Sequence, residues 1–207
     1  VSLGAAGRHS DAIATYRRAV RLAPKSANAL CNLGIAYSNI SDYPSAIRYL
    51  KQAVAADPAW SKPHLSLAYC YRDSGMYDAE EGELKKALEI FPEYYAAHSL
   101  LGHRYYFDRK YDSAIVELLA CTRMDSTDQE ALSYLGWSYV KSGDLRRAIS
   151  VFRSEVRQYP ESSGANQDIG YAYYLDSSYA DAIRAYNRAL KLDPSSIRSY
   201  NELAFVY

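Results

Sequence analysis

Four histidines, three cysteines and one adjacent pair of glutamates carry the most obvious reactive chemistry in this chain. His64 and His98 stand 34 residues apart. A zinc site needs converging ligands, and no HxxxH or CxxC pair supplies them. Both histidines are expected half-buried in helix interfaces. Cys31, Cys70 and Cys121 are widely spaced among small or apolar residues, which reads as buried thiols in a reducing, cytoplasmic setting. Glu80 and Glu81 could serve acid–base chemistry, but neighbours in a helix point to different faces and nothing else converges on them. A glycine-rich phosphate loop is absent from the sequence. Neither catalysis, a metal nor a cofactor is expected.

Aromatic side chains are the remaining abundant group, with 22 tyrosines. Tyrosine mostly binds rather than reacts, so its spacing decides what it is for. Tyr37, Tyr71, Tyr105, Tyr139, Tyr173 and Tyr207 recur every 34 residues without a slip. A fixed period of this size signals a stacked repeat array.

Other columns keep the same step. Gly34, Gly102, Gly136 and Gly170 form one, with Ala68 and Ala204 in its gaps. Leu33, Leu67, Leu101, Leu135, Ile169 and Leu203 precede it. Ala12, Ala46, Glu80, Ala114, Ala148 and Ala182 form a small-residue column, and Tyr16, Leu50, Leu84, Leu118, Phe152 and Tyr186 a large one. Ala19, Ala53, Ala87, Cys121, Val156 and Ala189 follow, the fifth being one residue past the strict step. Within each unit the apolar spacings are three and four, twice over, which predicts two helices. Gly7, Gly75 and Gly143 sit where the first helix should end in a left-handed cap. Pro44 and Pro63 fall in first turns, and Pro24, Pro58, Pro92, Pro160 and Pro194 mark handovers between units. Glu80 replaces Ala at a close helix contact and Gly82 follows it, so this second helix is expected to be soft, unless Glu80 snorkels and Gly82 makes room for it.

Leu-Gly, Tyr three residues on, then Ala, a large apolar residue and Pro in a 34-residue frame resembles the tetratricopeptide repeat. The resemblance implies an all-α, right-handed superhelical solenoid of antiparallel helix pairs. It places full repeats at 27–60, 61–94, 95–128, 129–162 and 163–196, with partial ones at 1–26 and 197–207. It also implies a protein-interaction scaffold, in which first helices line a concave groove for a peptide or partner segment. The stripe opposite the packing columns should face that groove. It carries Tyr69, Arg72, His103, Tyr106, Phe107, Tyr134, Trp137, Tyr171, Tyr174 and Phe205, with Lys62, Lys141 and Asp168 as nearby polar contacts. The family's carboxylate clamp finds only Asn32 and Lys62 at matching positions, since Ser66 stands where Arg is required. An asparagine ladder, as on the recognition arm of some glycosyltransferases, reduces to Asn32; a substrate-recognition arm of a larger enzyme is the alternative reading. Tyr16, Tyr186 and Tyr200 are assigned to packing columns.

Charge bounds the partners. Lysine plus arginine balance aspartate plus glutamate at 24 each, so a basic footprint for nucleic acid is missing. A membrane span of about 18 apolar residues is missing from the sequence too. The start, VSLGAAGRHSD, has no signal-peptide character. The chain reads as a segment of a longer protein, and its uncapped ends raise the expectation of self-association.

Overall fold

A computed structural model describes residues 3–207, with side-chain surroundings from His9 onward. Val1 and Ser2, assigned above to the first partial repeat, lie outside the described residues. Among the described residues the structure is all helix: α1 (Leu3–Leu22), α2 (Ala27–Ser38), α3 (Tyr43–Ala56), α4 (Ser61–Asp73), α5 (Tyr77–Ile90), α6 (Tyr95–Phe107), α7 (Tyr111–Met124), α8 (Gln129–Ser142), α9 (Leu145–Gln158), α10 (Ser163–Leu175), α11 (Tyr179–Leu192) and α12 (Ile197–Val206). Two compact units result. One ends at Ala97 and holds α1 to α5; the other, His98–Tyr207, holds α7 to α12 and all but the first turn of α6.

Each helix pair is punctuated locally. Ser26, Asp42, Asp128, Asp144, Ser162 and Ser196 cap helix starts, each accepting a backbone N–H three residues on. Such caps satisfy donors that the helix cannot, at about 1 kcal/mol each. The turns inside the pairs use one left-handed residue at a constant step: Ser41, Gly75, Arg109, Gly143 and Ser177, with φ between 60° and 88°. Gly75 and Gly143 are thus the expected caps, whereas Gly7 is not. It lies inside α1, which runs unbroken through it.

Packing follows the columns. In the first unit Leu33, Leu50 and Leu67 are at most 1 % exposed, alongside Cys31 and Cys70. A Cβ on Gly34 would sit 2.6 Å from Leu50 Cγ, and one on Gly102 would sit 2.8 Å from Leu118 Cγ. The glycine column therefore exists because its neighbouring leucine or aromatic ring occupies the space a side chain would need. The tyrosine column meets cations twenty residues earlier in the chain. Arg17 Nε donates to the Tyr37 hydroxyl at 2.7 Å, Arg153 Nε to Tyr173 at 2.8 Å, and Lys51 lies over the Tyr71 ring. Those tyrosines are architecture.

Three expectations need correction. The column of Ala53, Ala87 and Cys121 continues at the strict step with Glu155, not Val156: Glu155 is 2 % exposed and Val156 only partly buried. Tyr200 is not packed but 54 % exposed. Glu80 does not snorkel, being 2 % exposed, and Gly82 makes no room for it, since a Cβ there would meet nothing within 4 Å. His64, for its part, is more deeply buried than expected, its Nδ1 2.6 Å from Glu83; His98 repeats the pairing with Glu117. A test follows from the open space at Gly82. Gly82→Ala should raise the stability of the first unit by up to ~1 kcal/mol in urea denaturation, because only helix propensity changes. A loss would mean that the backbone there needs glycine.

Candidate functional site

The second unit brings most of the predicted aromatic residues together. They stand on the first helices of successive pairs, α6, α8 and α10, which present one residue per turn to the same side. On α6 and α8, His103 and Tyr134 have ring centroids 4.4 Å apart, and Tyr106 and Tyr134 5.1 Å apart. Phe107 meets both Tyr106 and Tyr134 edge-on at 5.6 and 5.9 Å, yet remains 68 % exposed. On α8 and α10, Trp137 and Tyr171 lie 5.4 Å apart, and Tyr171 leads to Tyr174 at 6.4 Å. Tyr111 and Tyr179, at the starts of second helices, extend the two groups. These edge-on and tilted arrangements are the favoured ones for aromatic pairs. Burial raises the Tyr106 pKa, and Tyr111, Tyr134 and Asp168 push it the same way.

Between the two ring groups lies a polar centre. Asp168, on α10, is 8 % exposed. Its Oδ2 accepts from the Trp137 indole Nε1 at 2.9 Å and from Ser133 Oγ at 3.3 Å. Its Oδ1 accepts from Arg198 Nη2 at 3.3 Å. Arg198, on α12, also donates through Nε to Glu202 at 2.8 Å and lies 5.8 Å from the Trp137 ring. Lys141 stands 5.9 Å from the same ring. Burial raises the Asp168 pKa, outweighing the lowering by Trp137, Arg198 and Ser133. Burial works against the Arg198 charge, but Glu202 and then Asp168 outweigh it and raise its pKa.

Other predicted residues fall elsewhere. Tyr69 and Arg72 belong to the first unit, where Arg72 stacks 5.0 Å above the Tyr69 ring one turn away on α4. Phe205 lies on α12, 77 % exposed, and joins neither ring group. Lys62 is exposed on α4, and Asn32 bonds to Asn28 one turn away on α2. Trp137 is less free than the sequence suggested, since its ring also meets the buried Phe152 edge-on at 5.9 Å. Two members of the site escaped the sequence reading. Ser133 gives no sequence signal. Arg198 had one, since Glu202 stands one turn further on, but its reach to Asp168 across 30 residues is written only in the fold.

Among the described residues, three or more metal-binding side chains are nowhere grouped to hold an ion, and no helix is long and apolar enough to cross a membrane.

Comparison with known proteins agrees with this architecture. The tetratricopeptide repeat model matches residues 31–95, 99–163 and 134–197, and a second model, described as TPR repeat, matches 4–41. Curated proteins include no match. Among solved structures, one described as "YrrB: a TPR protein with an unusual peptide-binding site" superposes with a TM-score of 0.82 at 19% identity, covering 90% of this chain and 96% of its own. A structure of MamA protein gives 0.74 at 24% identity, with 81% and 92% covered, and another of MamA gives 0.71 at 25%, with 78% and 95% covered. Both the repeated sequence columns and the helix pairs they build are those of one family, and the chain belongs to the tetratricopeptide repeat family.

Proposed function

We propose that the chain is a protein-interaction scaffold, without catalysis of its own, that holds a peptide or partner segment along the first-helix face of the second unit. The observation that carries this reading is the set of part-exposed rings on α6, α8 and α10, interrupted by one buried carboxylate. Monomers rarely leave apolar surface contiguous without a use, and Tyr and Trp are the usual anchors of interfaces. The peptide-binding site named for the structurally similar YrrB points the same way. Tyr69 and Arg72 would contribute a separate contact from the first unit. Three buried cysteines, none in a disulfide among the described residues, fit a reducing, cytoplasmic setting.

Phe107 and Tyr174 are the discriminating positions, because their rings touch neighbours on this face while Phe107 is mostly in solvent. Phe107→Ala and Tyr174→Ala together should weaken a partner captured from the source cell by about 2 kcal/mol or more in affinity. The melting temperature should move by only a few degrees. Unchanged capture by the double variant would sink the proposal.

A further inference from the structure

We propose that Asp168 Oδ1 and the face of Trp137 form a subsite for a cationic side chain of the partner, above all an arginine guanidinium, and that Arg198 of this chain fills it when no partner is bound. The inference rests on the groove reading and names the chemistry of one of its positions.

Four features on this face lead there. Asp168 is more than nine-tenths buried, and its two oxygens are unequally served. Oδ2 takes two donors, Trp137 and Ser133, which fix the carboxylate plane. Among the described residues, Oδ1 takes only Arg198, at 3.3 Å through a single nitrogen. A charge-assisted bond of good geometry is about 2.7–2.9 Å and, for guanidinium on carboxylate, is often two-pronged. Arg198 is shared at the same time with Glu202, which its Nε meets at 2.8 Å. The resident guanidinium is therefore a loose occupant.

The surroundings suit a cation. The Trp137 ring already has two cations within reach, Arg198 at 5.8 Å and Lys141 at 5.9 Å. An indole face attracts such groups, and arginine adds planar stacking. Tyr171, 5.4 Å from the Trp137 ring, offers aromatic surface that would cover the aliphatic stem of a ligand arginine. Displacing Arg198 strands no charge. It keeps Glu202 one turn away, and its side chain is already 46% exposed. Asp168 meanwhile exchanges a single 3.3 Å contact for a partner free to approach it with two prongs. The resident arginine acts as an internal competitor, so the apparent dissociation constant is the intrinsic one divided by the fraction of time the subsite is vacated.

The experiment follows the indole N–H resonance of Trp137 by NMR, with Trp60 as the internal reference. The probes are N-acetyl-arginine amide, its uncharged isostere N-acetyl-citrulline amide, and N-acetyl-glutamate amide. The arginine probe should move the Trp137 resonance with millimolar affinity, as expected for one solvent-accessible cation site. The citrulline probe should bind at least about tenfold more weakly. Asp168→Asn should abolish the response. Arg198→Gln should tighten the arginine probe about threefold or more, by removing the competitor. Glu202→Gln provides an independent variant should Arg198→Gln disturb α12; it frees Arg198 to commit to Asp168 and should weaken the probe by a similar factor. A still Trp137 resonance, equal binding of citrulline, or preferential binding of the glutamate probe at Arg198 would overturn the inference. So would a captured partner whose arginines can all be replaced without loss, and that outcome would leave the groove reading standing. Conversely, a Trp137 response to the arginine probe alongside unchanged partner capture by the Phe107 and Tyr174 variant would preserve the subsite and end the groove reading.

Discussion

Glu155→Ala should stabilise the second unit, and its advantage over the parent should grow by about 3 kcal/mol between pH 4 and pH 8. Glu155 sits in α9 with 2 % of its surface exposed, and among the described residues its Oε2 has no hydrogen-bond partner. Its Oε1 receives one long bond, 3.3 Å from Gln129 Nε2 on α8, while Gln129 also serves Ser162 Oγ at 3.0 Å. Burial raises the Glu155 pKa to about 7, Gln129 pulls it down, and Asp168 on α10 pushes it further up. A carboxyl whose folded pKa is raised binds its proton more tightly folded than unfolded. Its contribution is therefore fully present below the unfolded pKa and is lost as pH rises through about 7. The raised pKa of Asp168 acts in the same direction, and because the two carboxylates repel each other the difference from the parent reports Glu155 together with its coupling to Asp168. Alanine fits, because Ala53, Ala87 and Ala189 occupy the same column fully buried. Urea denaturation at several pH values measures both curves. A difference that stays flat with pH would show that Glu155 ionises in the folded protein as freely as in the unfolded one.

Gly136→Ala should cost the same unit about 1–3 kcal/mol, although alanine is the better helix former. A Cβ on Gly136 would run into the Phe152 ring, itself fully buried and pinned edge-on by Trp137. A ring cannot bend away as an aliphatic chain can. The equivalent pair in another repeat shows the remedy: Ala68 faces the column that Leu84 fills, and both are fully buried. Phe152→Leu alone should destabilise through lost ring contacts, yet combined with Gly136→Ala it should recover about 1 kcal/mol or more relative to the sum of the single changes. Additivity in that double-mutant cycle would remove the steric explanation for the glycine column.

Much of this was open to reading in the sequence because a repeat writes each packing contact several times over. Gly34, Gly102, Gly136 and Gly170 point to one close approach, and their large partners lie sixteen residues further on every time. Errors arose where a repeat breaks its own pattern. Val156 is the apolar residue next to the strict position of its column, but the residue at that position is Glu155, and the chain buries it. Gly7 looked like a cap, but a glycine can also be passed through by a helix, as α1 does at modest cost. The left-handed turns at Ser41, Arg109 and Ser177 were invisible because only the glycine members of that column advertise their backbone angle.

The site divides along the same line. Periodicity by itself settled which helix face carries Tyr106, Tyr134, Trp137 and Tyr171, since the angular position of a residue on a helix follows from its number. It could not settle which rings touch, nor that Trp137 is tied to Asp168 and Phe152, nor that Arg198 reaches back thirty residues to Asp168. Those contacts depend on the spacing and rotation of neighbouring helices and on side-chain rotamers, which are fixed only when the whole unit packs. The sequence determined the repeat and the face; the tertiary structure alone decided which carboxylate on that face is buried, and what now holds it.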